Sequence, residues 1–217
     1  MERGRRFLNR QDAGRELAAQ LSAYADKAGV LVLALPRGGV PVACEVATAL
    51  NAPMDVFLVR KLGTPGHREL AMGAIASGGI RVLNDDVVQW YRIPQPAIEA
   101  VAREEEQELL RREGEYRGDR PAPDLGGRTV ILVDDGLATG STMRAAVQAV
   151  KARHPARVIV AVPVGARQTC AELASIADEV VCATMPEPFS AVGEWYEDFS
   201  QTSDEEVRRL LGSGTGN

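Results

Sequence analysis

Cysteine and lysine are both scarce in this chain of 217 residues, and no apolar stretch runs far enough to cross a bilayer. The three cysteines, Cys44, Cys170 and Cys182, are odd in number and show no C-x-x-C spacing. That argues against a disulfide scaffold and against a zinc site, leaving small buried hydrophobes as their reading and a reducing cytoplasm as the expected compartment. No run of 18 apolar residues exists, so no membrane association is expected. The opening MERGRRFLNRQDAGRE is basic but lacks the apolar centre of a signal peptide. A positive excess is missing too: Lys plus Arg is 25 against 30 for Asp plus Glu, a formal net charge of −5. Nucleic acid is therefore not the expected partner, and total charge alone speaks against any anionic ligand. The two histidines, His67 and His154, stand at no metal-ligand spacing.

What is present belongs to a globular protein. Hydrophobic residues make up 45% and charged ones 25%, and the length suits a single domain that needs no covalent staple. Short apolar runs at 30–35 (VLVLAL), 55–61 (DVFLVRK), 129–134 (TVILVD), 157–164 (RVIVAVPV) and 179–183 (EVVCA) read as strands. They are continuous rather than alternating, as strands covered on both faces are. Helical patterns lie between them at about 10–27, 40–49, 141–152 and 167–177. The alternation predicts an α/β fold with a mainly parallel five-stranded sheet flanked by helices.

One segment breaks the rhythm. Residues 62–68 (LGTPGHR) are rich in Gly and Pro, and Gly78-Gly79 between short apolar runs reads as a hairpin turn. Asn84, Asp85 and Asp86 can cap a following helix. A charged helix then spans 94–116, with Ile98, Val101, Ala102 and Leu109 on one face and Glu104, Glu105, Glu106 and Glu108 around them. Residues 118–127 are loop by composition, and the tail from 212 is expected to fray.

The most informative stretch is VILVDDGLATGSTM, residues 130–143. A buried strand ends in Asp134 and Asp135, and a loop of small and hydroxylated residues then opens a helix. Free N–H groups, a positive dipole end and hydroxyl donors converge there to make a phosphate cradle. It is not a Walker A loop, because the lysine is missing, and it does not match G-x-G-x-x-G. The simpler alternative is a helix N-terminus beside two solvated acids. Carboxylates next to a phosphate cradle suit a sugar phosphate, whose vicinal hydroxyls they can accept.

VILVDDGLATGST resembles the phosphoribosyl-diphosphate (PRPP) motif of the type I phosphoribosyltransferase family. The resemblance implies that Asp134 and Asp135 hold the ribose hydroxyls, and that Ala138, Thr139, Gly140, Ser141 and Thr142 hold the 5′-phosphate. Pro36, Arg37, Gly38 and Gly39, closing the first strand, resemble the family's pyrophosphate loop, where a non-proline cis peptide is often found; here it would be Pro36–Arg37. A plain strand-to-helix turn is the alternative. Arg60 and Lys61 precede a segment that looks like the family's flexible lid, about residues 62–83, with His67 and Arg68 as further candidates. Lys61 stands out as one of three lysines against 22 arginines.

By the same resemblance a C-terminal hood, about 185–211, covers the acceptor. Phe189 is the first candidate to stack on it, with Trp195 and Tyr196 second; the alternative is that the aromatics of 185–200 anchor a terminal helix. Arg37, Lys61, Asp134 and Phe189 each follow a different candidate strand, so they are expected at the carboxyl edge of the sheet, where open α/β folds bind ligands. The implied reaction joins a nitrogen of a base to C1 of PRPP and expels pyrophosphate, as in nucleotide salvage. Lys61, Asp134 and Asp135 would be its catalytic residues. Mg²⁺ is the implied cofactor, bound to substrate phosphates with no direct protein ligand, and Asp134 and Asp135 reach it through water. A homodimer is implied as well. Purine enzymes for 6-oxopurines commonly carry an acid where this chain has Ala138, so the acceptor and its proton acceptor stay open. The competing reading is a non-catalytic regulator that senses PRPP or a nucleotide on the same fold.

Overall fold

The computed structural model describes residues 6–118 and 120–213. In chain order its elements are α1 (Arg10–Gln20), β1 (Val30–Ala34), α2 (Gly39–Leu50), β2 (Met54–Val56), β3 (Val59–Thr64), β4 (His67–Ala76), β5 (Ile80–Leu83), α3 (Asp85–Trp90), α4 (Gln95–Arg117), β6 (Thr129–Val133), α5 (Ser141–Lys151), β7 (Arg157–Val164), α6 (Arg167–Ala174), β8 (Glu179–Thr184) and α7 (Asp204–Ser213). Short 3-10 turns lie at Ser22–Tyr24 and Val192–Trp195.

Five strands form the predicted parallel sheet, in the order β2-β1-β6-β7-β8. Its two faces explain why the runs are continuously apolar. Leu31, Leu33, Val130 and Leu132 point to one side, against Met143, Val147 and Val150 of α5 and Leu173 of α6. Val30, Val32, Ala34, Ile131 and Val133 point to the other, against Leu17 of α1, Val46 and Leu50 of α2 and Val207 of α7. Each such side chain taken from water contributes about 1.5–3 kcal/mol, so neither face tolerates polar alternation. The chain leaves β1 for β2 on one side and returns to β6 on the other. The carboxyl ends of β1 and β6 therefore border the crevice at which strand order reverses.

The run at 55–61, expected as one strand, is split. Asp55 and Val56 pair with β1, and Phe57 N donates to Ala34 O at 2.9 Å. At Leu58 the backbone turns to a new partner: its N donates to Ser77 Oγ and its carbonyl accepts from Ser77 N, both at 2.9 Å. Val59 onward belongs to a second, antiparallel sheet, β3-β4-β5. The segment at 62–68, read as irregular, is the turn half of the β3–β4 hairpin. Pro65-Gly66 makes the reversal, and Gly63 sits in a register shift. Gly78 and Gly79, both at positive φ (81° and 73°), close the β4–β5 hairpin as expected.

Three helices end differently from their sequence patterns. α1 stops at Gln20 and tightens into 3-10 bonding (Tyr24 N to Leu21 O, 2.8 Å), which turns Leu21 and Tyr24 inward. α6 stops at Ala174 instead of 177. The tail expected to fray is helical through Ser213, and residues 214–217 lie outside those described. Asn84 caps α3 by accepting from Val87 N, and α4 buries Ile98, Ala102 and Leu109 as its pattern predicts. Cys170 is buried, Cys44 and Cys182 half-buried, and all three are free thiols.

Candidate active site

β1 ends against the first turn of α2 through a tight reversal at 35–39. Gly39 N donates to Leu35 O and Val40 N to Arg37 O, each at 3.1 Å, and the Pro36–Arg37 peptide is cis. Across the crevice β6 ends at Asp134 and Asp135. The two segments touch. A Cβ at Gly38 would lie 2.0 Å from Asp135 Oδ2, and one at Gly39 would lie 2.7 Å from Val133 O. Only glycines let the loop and the acids approach so closely.

The loop after the acids is anchored from below and open above. Leu137 N donates to Val164 O and Ala166 N to Leu137 O, both at 2.9 Å. Thr169 Oγ1 donates to Ala138 O at 2.6 Å. Leu137 and Gly140 are buried, whereas Ala138, Thr139, Ser141 and Thr142 are exposed. No side chain caps α5, whose N-cap is Gly140 at φ 67°. The first-turn N–H groups and the hydroxyls of Thr139, Ser141 and Thr142 thus face outward together.

Burial raises the pKa of both acids. Asp134 is pushed well above the usual carboxylate range by desolvation and by the negative charge of Asp135. Asp135 is raised by desolvation, against which the positive charge of Arg10 pulls it down. Arg10 was invisible to sequence reasoning, being one of 22 arginines at the start of a helix. Its Nε and NH2 reach Asp135 Oδ2 at 2.9 and 2.8 Å. Tyr196 Oη donates to the backbone carbonyl of Asp135 at 2.6 Å.

Among the described residues, no cluster of three or more His, Cys, Asp or Glu could hold a metal ion. A pair of carboxylates is nonetheless the donor set Mg²⁺ commonly uses when substrate phosphates complete its shell. Asp134 and Asp135 fit that pattern, short of positive charge except for Arg10.

Arg37 is turned to Asp204 of α7, at 3.6 Å. Arg60 pairs with Glu105 of α4 at 2.6 Å. Lys61, expected at the edge of the main sheet, lies in β3 of the second sheet, where its Nζ donates to the carbonyl of Glu69. It lines a cavity of about 610 Å³ between β3, β4, β5 and α5, which Ser141 and Thr142 also line. Lys61 therefore shares one cavity with the first turn of α5; among the described residues, no ion pair joins it to Asp134 or Asp135. The His67 ring lies 5.7 Å from that of Tyr91, tilted by 53°, and the side chain of Arg68 lies outside those described.

Phe189 and Trp195 pack, half-buried, against Phe7, Ala13, Val164 and Tyr196. The Nε1 of Trp195 is buried without a hydrogen-bond partner. Tyr196 is 3% exposed, its ring 5.6 Å from Phe7 and 5.0 Å from Phe199. Its hydroxyl is spent on Asp135, so it braces the acid from beneath and has no open face for a ligand. The expectation of a stacking role is corrected for Tyr196 on that ground. α7, at the end of the expected hood, packs Val207 and Leu211 into the main core.

Residues 6–198 match the family described as "Phosphoribosyl transferase domain". A protein of Mycobacterium tuberculosis named "Putative phosphoribosyl transferase Rv0571c" is 51% identical over 205 residues, which cover 94% of this chain and 46% of that protein. The chain thus spans about half the length of the curated relatives it matches. The crystal structure of TT1426 from Thermus thermophilus superposes with a TM-score of 0.87 at 42% identity, covering 97% of this chain and all of that one.

Proposed function

Because the chain belongs to the phosphoribosyl transferase family, we propose that it transfers the 5-phosphoribosyl group of PRPP to a nitrogen of a nucleobase or related acceptor, releasing pyrophosphate. The observation that carries this reading is the contact of Gly38 with Asp135. It sets amides suited to a diphosphate directly beside carboxylates suited to ribose hydroxyls, at the crevice between β1 and β6.

Such a reaction passes through a centre with oxocarbenium character, and it asks the protein for position and charge more than for covalent chemistry. Asp134 and Asp135 accept hydrogen bonds from the ribose hydroxyls and fix the sugar. The loop at 138–142 and the first turn of α5 hold the 5′-phosphate, and the reversal at 36–39 holds the diphosphate through the backbone N–H groups of Arg37 and Gly38, since Pro36 has none and Gly39 N already donates to Leu35 O. Arg37 exchanges Asp204 for the departing diphosphate. Lys61, released from the Glu69 carbonyl, adds a cation as the second sheet closes and water is excluded. Phe189 and Trp195 border the acceptor. Mg²⁺, carried on the substrate phosphates with Asp134 and Asp135 reaching its water shell, would neutralise the leaving group.

The test is pyrophosphate release from PRPP with Mg²⁺ across a panel of purine and pyrimidine bases. Release with at least one base is expected, and failure to bind PRPP would overturn the assignment. A second reading, a PRPP-sensing regulator without turnover, has its own support: Asp135 and Arg37 each already hold an internal partner, Arg10 and Asp204. PRPP binding without pyrophosphate release from any base would favour it.

A further inference from the structure

Arg10 opens α1, yet only 9% of it is exposed. A guanidinium is costly to bury unless its donors are met. Here Nε and NH2 converge on Asp135 Oδ2, NH1 donates to the carbonyl of Ser200 at 2.6 Å, and the guanidinium carbon sits 4.1 Å from the centre of the Phe199 ring. The usual fork of an arginine on a carboxylate engages both oxygens. This one takes Oδ2 twice, the same oxygen that lies over Gly38.

We infer that Arg10 is a positioning residue for the ribose-binding carboxylate: it pins Asp135 through Oδ2, leaves Oδ1 to accept a ligand hydroxyl, and ties the acid to the C-terminal segment at Phe199 and Ser200. The inference rests on the phosphoribosyl reading. It separates Asp134 from Asp135, which sequence reasoning treats as equivalent. Asp135 is oriented by an arginine and by Tyr196 beneath its backbone. Asp134 accepts only the neighbouring Asp135 N–H, at 2.9 Å, among the hydrogen bonds of the described residues. A rigid acid and an adaptable one then share the ribose hydroxyls.

Two probes separate this role from a purely structural one. Ribose 5-phosphate needs the acids, whereas inorganic pyrophosphate needs the amide loop with Arg37 and Lys61 and no ribose-binding carboxylate. Calorimetry on the full chain should show that Arg10→Met weakens ribose 5-phosphate by about tenfold or more and leaves pyrophosphate affinity unchanged. Combining Arg10→Met with Asp135→Asn should cost no more than Asp135→Asn alone, as expected when one residue acts through the other. Arg10→Lys keeps the charge without the fork. It should recover part of the loss, and it stands in should Arg10→Met fail to fold. Equal weakening of both probes, additive losses in the double variant, or unchanged ribose 5-phosphate affinity would each overturn the inference. If the unaltered protein binds neither ribose 5-phosphate nor PRPP, the phosphoribosyl reading itself has failed, and this inference falls with it.

Discussion

Gly38→Ala isolates the contact on which the site is built. The backbone at Gly38 is ordinary right-handed helical (φ −61°, ψ −32°), so alanine fits the local conformation and would by itself stabilise the fold by restricting the unfolded chain, about 0.4–1 kcal/mol. Its new methyl, however, would lie 2.0 Å from Asp135 Oδ2 and 2.7 Å from Asp135 Cγ, and also 3.2 Å from Arg10 Nε. Cβ atoms essentially never approach within 3.0 Å, so the carboxylate must retreat by about 1 Å, the difference between those two distances. Bonds of 2.8 and 2.9 Å to Arg10 do not survive such a shift. Hydrogen bonds to charged groups contribute about 1.5–3 kcal/mol each, so losing two, set against the gain from alanine, leaves a net loss of about 2–6 kcal/mol. In a chain of this size that is a drop in Tm of about 4–24 °C. Thermal denaturation with PRPP calorimetry on the same samples reads both consequences. A variant as stable as the parent, with PRPP affinity intact, would refute the steric argument and with it the packing of loop on acid.

Three other outcomes follow from the same geometry. Asp134→Asn should raise Tm at neutral pH while weakening PRPP by about tenfold or more, because burial beside Asp135 disfavours the charge that the ligand requires; a lowered Tm would contradict it. Tyr116, whose hydroxyl meets Asp204 at 2.5 Å, has its pKa pushed up to about 12 by burial and by that carboxylate. The folded state holds this proton more tightly than the unfolded chain. Its contribution to stability is therefore whole below pH about 10 and is lost as pH rises toward 12. Ultraviolet titration of tyrosinate against Tyr116→Phe checks the value, and ionisation near pH 10 would oppose it. Glu105→Gln removes the partner of Arg60 between α4 and β3. It should cost the second sheet about 0.5–1 kcal/mol of local stability, seen as roughly two- to fivefold faster amide exchange in β3 and β4; exchange that does not change would remove the tether.

The parts of the molecule legible in the sequence are those whose physics is local. Leu31, Leu33, Leu132 and Val160 announce a sheet covered on both faces because every position must be apolar. The acid pair and the small residues after it announce a strand that ends on a helix N-terminus, because strand end, turn and helix start are contiguous. What was not legible depends on partners far along the chain. Phe57 and Leu58 are as apolar as their neighbours, and only Ser77, together with the pairing of Asp55 with Arg117 at 2.8 Å, separates β2 from β3. The glycines of 62–68 looked like breakers, but Gly63 and Gly66 serve a bulge and a reversal inside a hairpin. Lys61 stands out in the sequence as one of three lysines, yet the second sheet that carries it does not. Arg10 gave no signal, since nothing in its own segment distinguishes it from the arginines exposed to water.

The three-way grip of Arg10 also sets an order for biosynthesis. Its partners Asp135 and Ser200 lie 125 and 190 residues farther along. At ribosomal speed, roughly 5–20 residues per second, α1 waits on the order of 10–40 s before Ser200 is made. Through that interval the apolar residues Leu17 and Leu21 have no completed sheet edge to cover, and the clasp that holds Asp135 is incomplete. A nascent chain stalled before Ser200 can hold all five parallel strands and still lack the last clasp. The Arg10 clasp is then completed only after every strand of the parallel sheet has been made, and before α7 follows to close the core.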